Sequence, residues 1–258
     1  MIVSFFIAGA QKSGTTALDH YLRGHPNIQM AREKEVHFFD DESVDWSKPN
    51  YTKLHDAFDA PAEGQSLRGE ATPIYTYWPQ ALERIRRYNE RAKIIVGLRH
   101  PSLRAYSHWR METKRGNDFL PFNDAIRQAG RRRVAGEPNG AHRIHSYVER
   151  GLYAGQVERL LALFPRDQVF FFRTDTLWTD PPSVLGQVQT FLQLEPKLHV
   201  ERAYIVPEWT WTAQTMRSSD RTYLDEIFAD DIRKTADRTG LTLDDWLGGG
   251  YLEPIAPD

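Results

Sequence analysis

The sequence predicts a single α/β domain with a mainly parallel sheet flanked by helices on both faces. Three observations carry this expectation. Apolar runs at 3–8, 92–98 and 168–172 have the length and the β-branched or aromatic content of buried strands. Longer amphipathic stretches separate them, which is the pattern of strand–helix–strand units. The length, 258 residues, suits one full-sized domain better than two.

Residues 3–8 read as the first strand. Thr15–Arg23 follows as a helix, with Ala17, Leu18, Tyr21 and Leu22 on one side and Gly24 and Pro26 ending it. Residues 79–89 are helical. The strand 92–98 is closed by Arg99-His100-Pro101 and leads into a helix at 103–114. A helix at 153–164 shows the spacing Val157, Leu160, Leu161, Phe164 and precedes the strand 168–172. Further helices are expected at 184–192 and 223–238. Two stretches interrupt the rhythm. Residues 40–65 are polar, with Pro49, Pro61 and Gly64, and read as a surface excursion. Residues 131–151 carry Arg131, Arg132, Arg133, Arg143 and Arg150 among glycines and read as a mobile basic loop.

Composition narrows the function. Thirty-three Lys and Arg balance 35 Asp and Glu, a net charge of −2, which argues against a whole-surface nucleic-acid binder. No cysteine is present, so a disulfide scaffold, a thiolate zinc site, a cysteine nucleophile and an iron–sulfur cluster are excluded. The apolar start is too short for a membrane span and lacks a basic flank, and no later stretch reaches about 18 apolar residues. The expectation is a cytoplasmic protein.

The most informative segment is Phe5-Phe6-Ile7-Ala8-Gly9-Ala10-Gln11-Lys12-Ser13-Gly14-Thr15-Thr16. A buried strand feeds a glycine-containing loop that opens directly into a helix. Such a loop turns backbone N–H groups and the positive helix end toward an anion, so it predicts phosphate binding. Lys12 adds a charge; Thr15 and Thr16 add hydroxyls. The ordinary triphosphate loop has Gly-Lys-Ser/Thr at its end. Here Thr15 stands at the lysine position and the lysine lies two residues before Gly14. No apolar strand ending in a magnesium-binding Asp is evident. A phosphate-loop architecture without an obligatory metal is therefore expected.

This segment resembles the 5′-phosphosulfate loop of sulfotransferases that use 3′-phosphoadenosine-5′-phosphosulfate (PAPS). The resemblance implies that Lys12 contacts the oxygen bridging sulfuryl and phosphate groups. It implies that Ser13, Gly14, Thr15 and Thr16 hold the 5′-phosphate. Downstream, Glu33-Lys34-Glu35-Val36-His37-Phe38-Phe39-Asp40 reads as an extended segment with Glu35, His37 and Phe39 on one side. Transfer to an alcohol needs a base, and a carboxylate buttressed by a histidine can serve. This stretch is similar to one in heparan sulfate glucosaminyl 3-O-sulfotransferases. There the residue matched by Glu35 is the catalytic base, and those matched by His37 and Asp40 line the acceptor site. Ala71, in Glu70-Ala71-Thr72-Pro73, stands where those glycan enzymes carry a lysine. The likeness thus extends to the transfer chemistry rather than to the heparan acceptor.

A second anion site is expected at the end of the strand 92–98. Arg99 lies where α/β sheets bind ligands, and Pro101 suits a first helical turn. A guanidinium with a hydroxyl, here Ser107, makes a receptor for a phosphate monoester. The stretch resembles the family's 3′-phosphate motif, R-(D/N)-P-x-x-R-x-x-S, with His100 at the Asp/Asn position. His108 and Trp109 are candidates to stack on adenine, with packing the expected role for Trp109. The resemblance covers roughly residues 3–192. Near the C-terminus, Arg217 and Arg221 are candidate phosphate ligands. His142 and His145 have no acidic partners at metal-ligand spacing.

These readings combine into a PAPS-dependent sulfotransferase acting on a glycan, lipid or natural-product hydroxyl, with no metal, nucleic acid or membrane span expected. The alternatives are a nucleotide-dependent kinase with an atypical phosphate loop and a non-catalytic nucleotide-binding module.

Overall fold

The computed structural model describes residues 1–197 and 216–254. Five strands form one parallel sheet: β1 (Phe5–Gly9), β2 (Ile28–Met30), β3 (Leu67–Ala71), β4 (Lys93–Leu98) and β5 (Val169–Arg173), in the order β2-β3-β1-β4-β5. Ten α-helices connect and extend them among the described residues: α1 (Thr15–Arg23), α2 (Thr52–His55), α3 (Ala81–Tyr88), α4 (Pro101–Lys114), α5 (Phe122–Ala125), α6 (Gln128–Ala135), α7 (Tyr153–Leu163), α8 (Thr174–Thr179), α9 (Pro181–Phe191) and α10 (Ser218–Thr239).

Alternation along the strands sends side chains to two cores. Phe5 and Ile7 of β1, with Ile95 of β4, pack against Leu18 and Leu22 of α1 and Val184 and Val188 of α9. Phe6 and Ala8, with Ile94 and Val96, pack on the other face against Leu82, Val157, Leu160, Phe228 and Ile232. Both faces of the sheet are thus covered, which explains why these strands read as continuous apolar runs.

The chain runs from β1 outward to β2, returns to β3 beside β1, then crosses to β4 and β5 on the other side. The order reverses at β1, and such a switch point leaves a crevice beyond the carboxyl ends of the strands. Gly14 stands in the left-handed region, φ 77°, and turns the chain from the loop into α1. Gly97 lets the loop rest against β4: a Cβ there would lie 2.7 Å from the Ser13 carbonyl oxygen.

Three features depart from the expectations. The strands β2 and β3 lie in stretches that read as neither strand nor helix. The segment 40–65 is not merely superficial, because Leu54 and Phe58 are buried and Trp46 and Tyr51 pack on Phe38. The segment 131–151 is not a basic loop throughout. Its start lies in α6, its arginines pair with Glu149 and Asp118, and Tyr147, Val148 and Arg150 are buried. Among the described residues no helix is long and apolar enough to cross a membrane.

Candidate active site

Lys12, Glu35, His37 and Arg99 all project from the carboxyl edge of the sheet. The loop after β1 is tied to β4 by the bond from Ala10 N–H to the Gly97 carbonyl, 2.8 Å, and closes on itself by Ser13 N–H to the Ala10 carbonyl, 3.1 Å. Lys12 takes a left-handed conformation, φ 70°. Its ammonium lies 3.8 Å from the Met111 sulfur and forms no ion pair among the described residues. Burial, reinforced by Arg99, lowers its pKa to about 8. A cation in this state gains from any incoming anion.

The N-terminus of α1 opens beside it, with Thr15 buried and Thr16 half-buried in the first turn. No acidic side chain occupies that turn, so its N–H groups retain their affinity for an anion. The unpaired ammonium, the left-handed glycine and the free helix end fit a phosphate group. Ser13 is fully buried, its N–H bonded inside the loop and its hydroxyl without a hydrogen-bond partner among the described residues.

Glu35 and His37 do not lie on an extended strand. Both are left-handed, with φ of 67° and 53°, in a turn beyond the end of β3. Their side chains still meet, His37 Nε2 being 3.5 Å from Glu35 Oε2. Phe39 parts from them and is buried in the core. His37 Nδ1 lies 2.9 Å from Asp40 Oδ2, and Lys34 Nζ lies 2.6 Å from Glu35 Oε1. Arg143 completes the cluster: it binds the Asp40 carboxylate and carbonyl and lies 4.2 Å over the Trp78 ring.

The charges follow from these contacts. The Asp40 and Glu35 bonds raise the His37 imidazole to about 9, overcoming its burial. Burial pushes the Glu35 carboxyl up, but His37 and Lys34 more than offset it and hold it near 2. Burial likewise opposes the ionised form of Asp40, yet His37 and Arg143 keep its pKa low. At neutral pH the group is an ionised carboxylate beside an imidazolium. Glu35 also lies close enough to Lys12 to favour its charged form.

Arg99 sits at the end of β4. Its Nη1 donates to the Lys12 carbonyl, 3.1 Å, and its fork holds both oxygens of Glu253. Ser107 is half-buried on α4 and takes no part in these bonds. Of the two C-terminal arginines, Arg217 is exposed at the start of α10, whereas Arg221 reaches this region. Its Nη2 is 3.1 Å from His100 Nε2 and its Nη1 donates to the Tyr251 carbonyl, 3.3 Å. His108 is wholly buried against Tyr147, and Trp109 stacks on Tyr106 and donates to the Leu120 carbonyl. Both are packing residues rather than adenine platforms. His142 Nδ1 accepts from two backbone N–H groups, and among the described residues no group of three His, Asp or Glu side chains is placed to hold a metal ion.

Sequence reasoning passed over two buried arginines beneath the loop. Arg104 donates to the carbonyls of Gln11 and Tyr147; Arg150 donates to the Gln11 side chain and to the carbonyls of His142 and Arg143. Neither forms an ion pair among the described residues, and burial lowers both to about 10. Their uncompensated charge lies behind the donor loop and favours an anion there. Arg104 was visible as the second arginine of the motif opened by Arg99; nothing local marks Arg150.

Comparison with known proteins bears on this geometry. A family model described as Sulfotransferase domain matches residues 4–235. Human heparan sulfate glucosamine 3-O-sulfotransferase 3B1 is 32% identical over 192 residues, covering 73% of this chain and 45% of that protein. The chain thus spans about half the length of this curated relative. The Dictyostelium discoideum membrane-associated sulfotransferase kil1 is 23% identical over 302 residues, covering 87% of this chain and 62% of its own. The crystal structure of a sulfotransferase from Alicyclobacillus acidocaldarius superposes with a TM-score of 0.80 at 27% identity, covering 95% of this chain and 99% of that one. Mouse sulfotransferase SULT7A1 complexed with PAP superposes at 0.56 and 13% identity, covering 95% and 90%, a likeness of fold.

Proposed function

The chain belongs to the sulfotransferase domain family, and from that premise we propose that it moves a sulfuryl group from PAPS to an acceptor hydroxyl. The observation that carries this reading is the pairing of an unpartnered Lys12 ammonium with an ionised Glu35 carboxylate at one edge of the sheet.

The residues present fit the donor. The first-turn N–H groups of α1, with Gly14, Thr15 and Thr16, would hold its 5′-phosphate, and Arg99 would receive its 3′-phosphate. When bound, the donor supplies an activated sulfuryl group and a phosphate leaving group. Lys12 places positive charge where negative charge develops on departure. Glu35 accepts the proton of the attacking hydroxyl. Held near 2 by Lys34 and His37, it is ionised throughout the neutral range. Movement of Lys34 away from Oε1 would make it a stronger base. His37, clamped between Asp40 and Glu35, fixes the carboxylate's orientation. Positioning and preorganised charge supply most of the rate, as in phosphoryl transfer.

The acceptor class is a glycan, lipid or natural-product hydroxyl. Arg143, bound to Asp40 and lying over the Trp78 ring, would offer it a cationic, aromatic wall beside the His37–Asp40 pair. The test is an acceptor screen with sulfur-labelled PAPS, which should give acceptor-dependent label transfer and 3′-phosphoadenosine-5′-phosphate (PAP). Tight binding of ATP–magnesium with no affinity for PAP would overturn the proposal.

A further inference from the structure

Three consecutive backbone N–H groups of the Glu35–His37 turn are received by three consecutive residues at the end of β3. Glu35 N–H donates to the Ala71 carbonyl at 2.9 Å. Val36 N–H donates to Glu70 Oε1 at 3.3 Å, and His37 N–H donates to Thr72 Oγ1 at 3.4 Å. The Thr72 hydroxyl itself donates a hydrogen bond to Glu70 Oε1, closing the set. Glu70 and Thr72 are both wholly buried, although their side chains are polar.

The turn needs such a hold. Glu35 and His37 both occupy the left-handed region, which is strained for a non-glycine residue and persists only where the surroundings impose it. Ordinary β3 packing does not call for a carboxylate. A buried acid is costly unless its bonds are made, and Glu70 keeps Oε2 without a partner. Burial raises its pKa to about 7, against the Thr72 and Val36 bonds. A group retained at that expense points to a role beyond filling space.

We infer that Glu70 and Thr72 are positioning residues that lock Glu35 and His37 into the left-handed turn that joins their side chains. The inference rests on the proposed reaction for its kinetic consequence, but not for its structural one. It also gives Glu70-Ala71-Thr72 a task independent of any lysine at position 71. The side chains of Glu70 and Thr72 and the backbone of Ala71 make the clamp.

The test removes one hydroxyl. Thr72→Val, with Thr72→Ala beside it, should lower kcat roughly 10- to 100-fold, the scale of misplacing a reacting group by an ångström. PAP affinity by calorimetry should stay within about twofold, since among the described residues no hydrogen bond joins the donor loop to this clamp. In protein without donor or acceptor, the His37 ring should titrate by NMR well below the value of about 9 that its present partners impose. Thr72→Ser should restore both rate and titration. Glu70→Leu, which removes the acceptor of Val36 N–H and of the Thr72 hydroxyl, should lower kcat and the His37 titration in the same direction as the Thr72 variants. An unchanged His37 titration in both Thr72 variants would overturn the inference. So would a loss of PAP affinity in step with kcat, or failure of Thr72→Ser to restore either readout. Because the His37 titration needs no turnover, a protein inactive on every acceptor would refute the proposed reaction while this inference is still decided by NMR.

Discussion

The Arg99 guanidinium grips the Glu253 carboxylate with two parallel bonds, Nε to Oε1 at 2.5 Å and Nη2 to Oε2 at 2.6 Å. A fork of this kind suits a phosphate monoester equally well. The C-terminal strap is pinned around it: Tyr251 stacks on His100 at 4.9 Å and its hydroxyl donates to Asp175 at 2.7 Å. An internal carboxylate thus occupies the fork that the proposed donor would use.

Glu253→Gln should therefore tighten PAP binding. Removing the competing charge frees the guanidinium, and a charge-assisted hydrogen bond in a largely buried pair contributes about 1.4 kcal/mol, or about tenfold in affinity. Arg99→Ala should weaken PAP binding with less effect on kcat. Calorimetry decides both; a Glu253→Gln protein that binds PAP no better would show that the strap and the nucleotide do not compete.

Glu35→Gln should cost roughly 10²–10⁴ in turnover, the range for a lost general base. The amide keeps the shape and can still meet His37, so PAP affinity should hold. Full turnover by this variant with a verified acceptor would remove Glu35 as the base.

Lys12 gives donor binding a pH dependence. Its pKa lies near 8 in the free protein, and a bound anion favours the charged form. PAP affinity should be level between about pH 7 and 8 and fall above pH 8, approaching about tenfold per pH unit. The nucleotide is fully ionised there, so it adds no slope of its own. Lys12→Ala should remove the slope and lower turnover roughly 10²- to 10³-fold.

Stability should respond to the same cluster. Glu35 is lowered from 4.5 to about 2, so its contribution is present above pH 4.5 and disappears as pH falls through 2. His37 is raised from 6.5 to about 9, so its contribution is full below pH 6.5 and disappears as pH rises through 9. Both are complete only between about pH 4.5 and 6.5. The difference in melting temperature between wild type and His37→Ala should be widest there and should close by pH 9 to 10. A constant difference across that range would contradict the ion network.

What the sequence disclosed, and what it hid, follows from how far apart the partners lie. β1, its loop and α1 were legible because one run of twelve residues carries the buried strand, the left-handed glycine and the helix start. β3 was not, because Leu67-Arg68-Gly69-Glu70-Ala71 has two charged residues inside the sheet. Arg68 is satisfied by Gln29 at 2.7 Å and by the Met1 carbonyl at 2.8 Å, partners no local pattern announces. Arg150 read as part of a mobile basic loop for the same reason, since its acceptors are mostly backbone carbonyls brought in by folding, and Arg104 read only as the second arginine of the motif opened by Arg99. Glu35 and His37 were expected on one side of an extended segment; the left-handed turn that joins their side chains is instead bonded to the end of β3. Glu253 lies 154 residues from Arg99, and no spacing rule reaches that far.

The position of β1 has a consequence for how the chain assembles. The strand at the centre of the sheet comes before both of its neighbours in the chain, with β3 ending at Ala71 and β4 at Leu98. During synthesis, Phe5-Phe6-Ile7-Ala8 emerges with two unpaired edges and stays so for dozens of residues. Parallel pairing at such separations is slow, and an exposed apolar strand is the segment most prone to pair with another chain. The nascent protein is thus most vulnerable to aggregation before residue 98 has left the ribosome, and pairing of β1 with β4 is the step that ends the hazard.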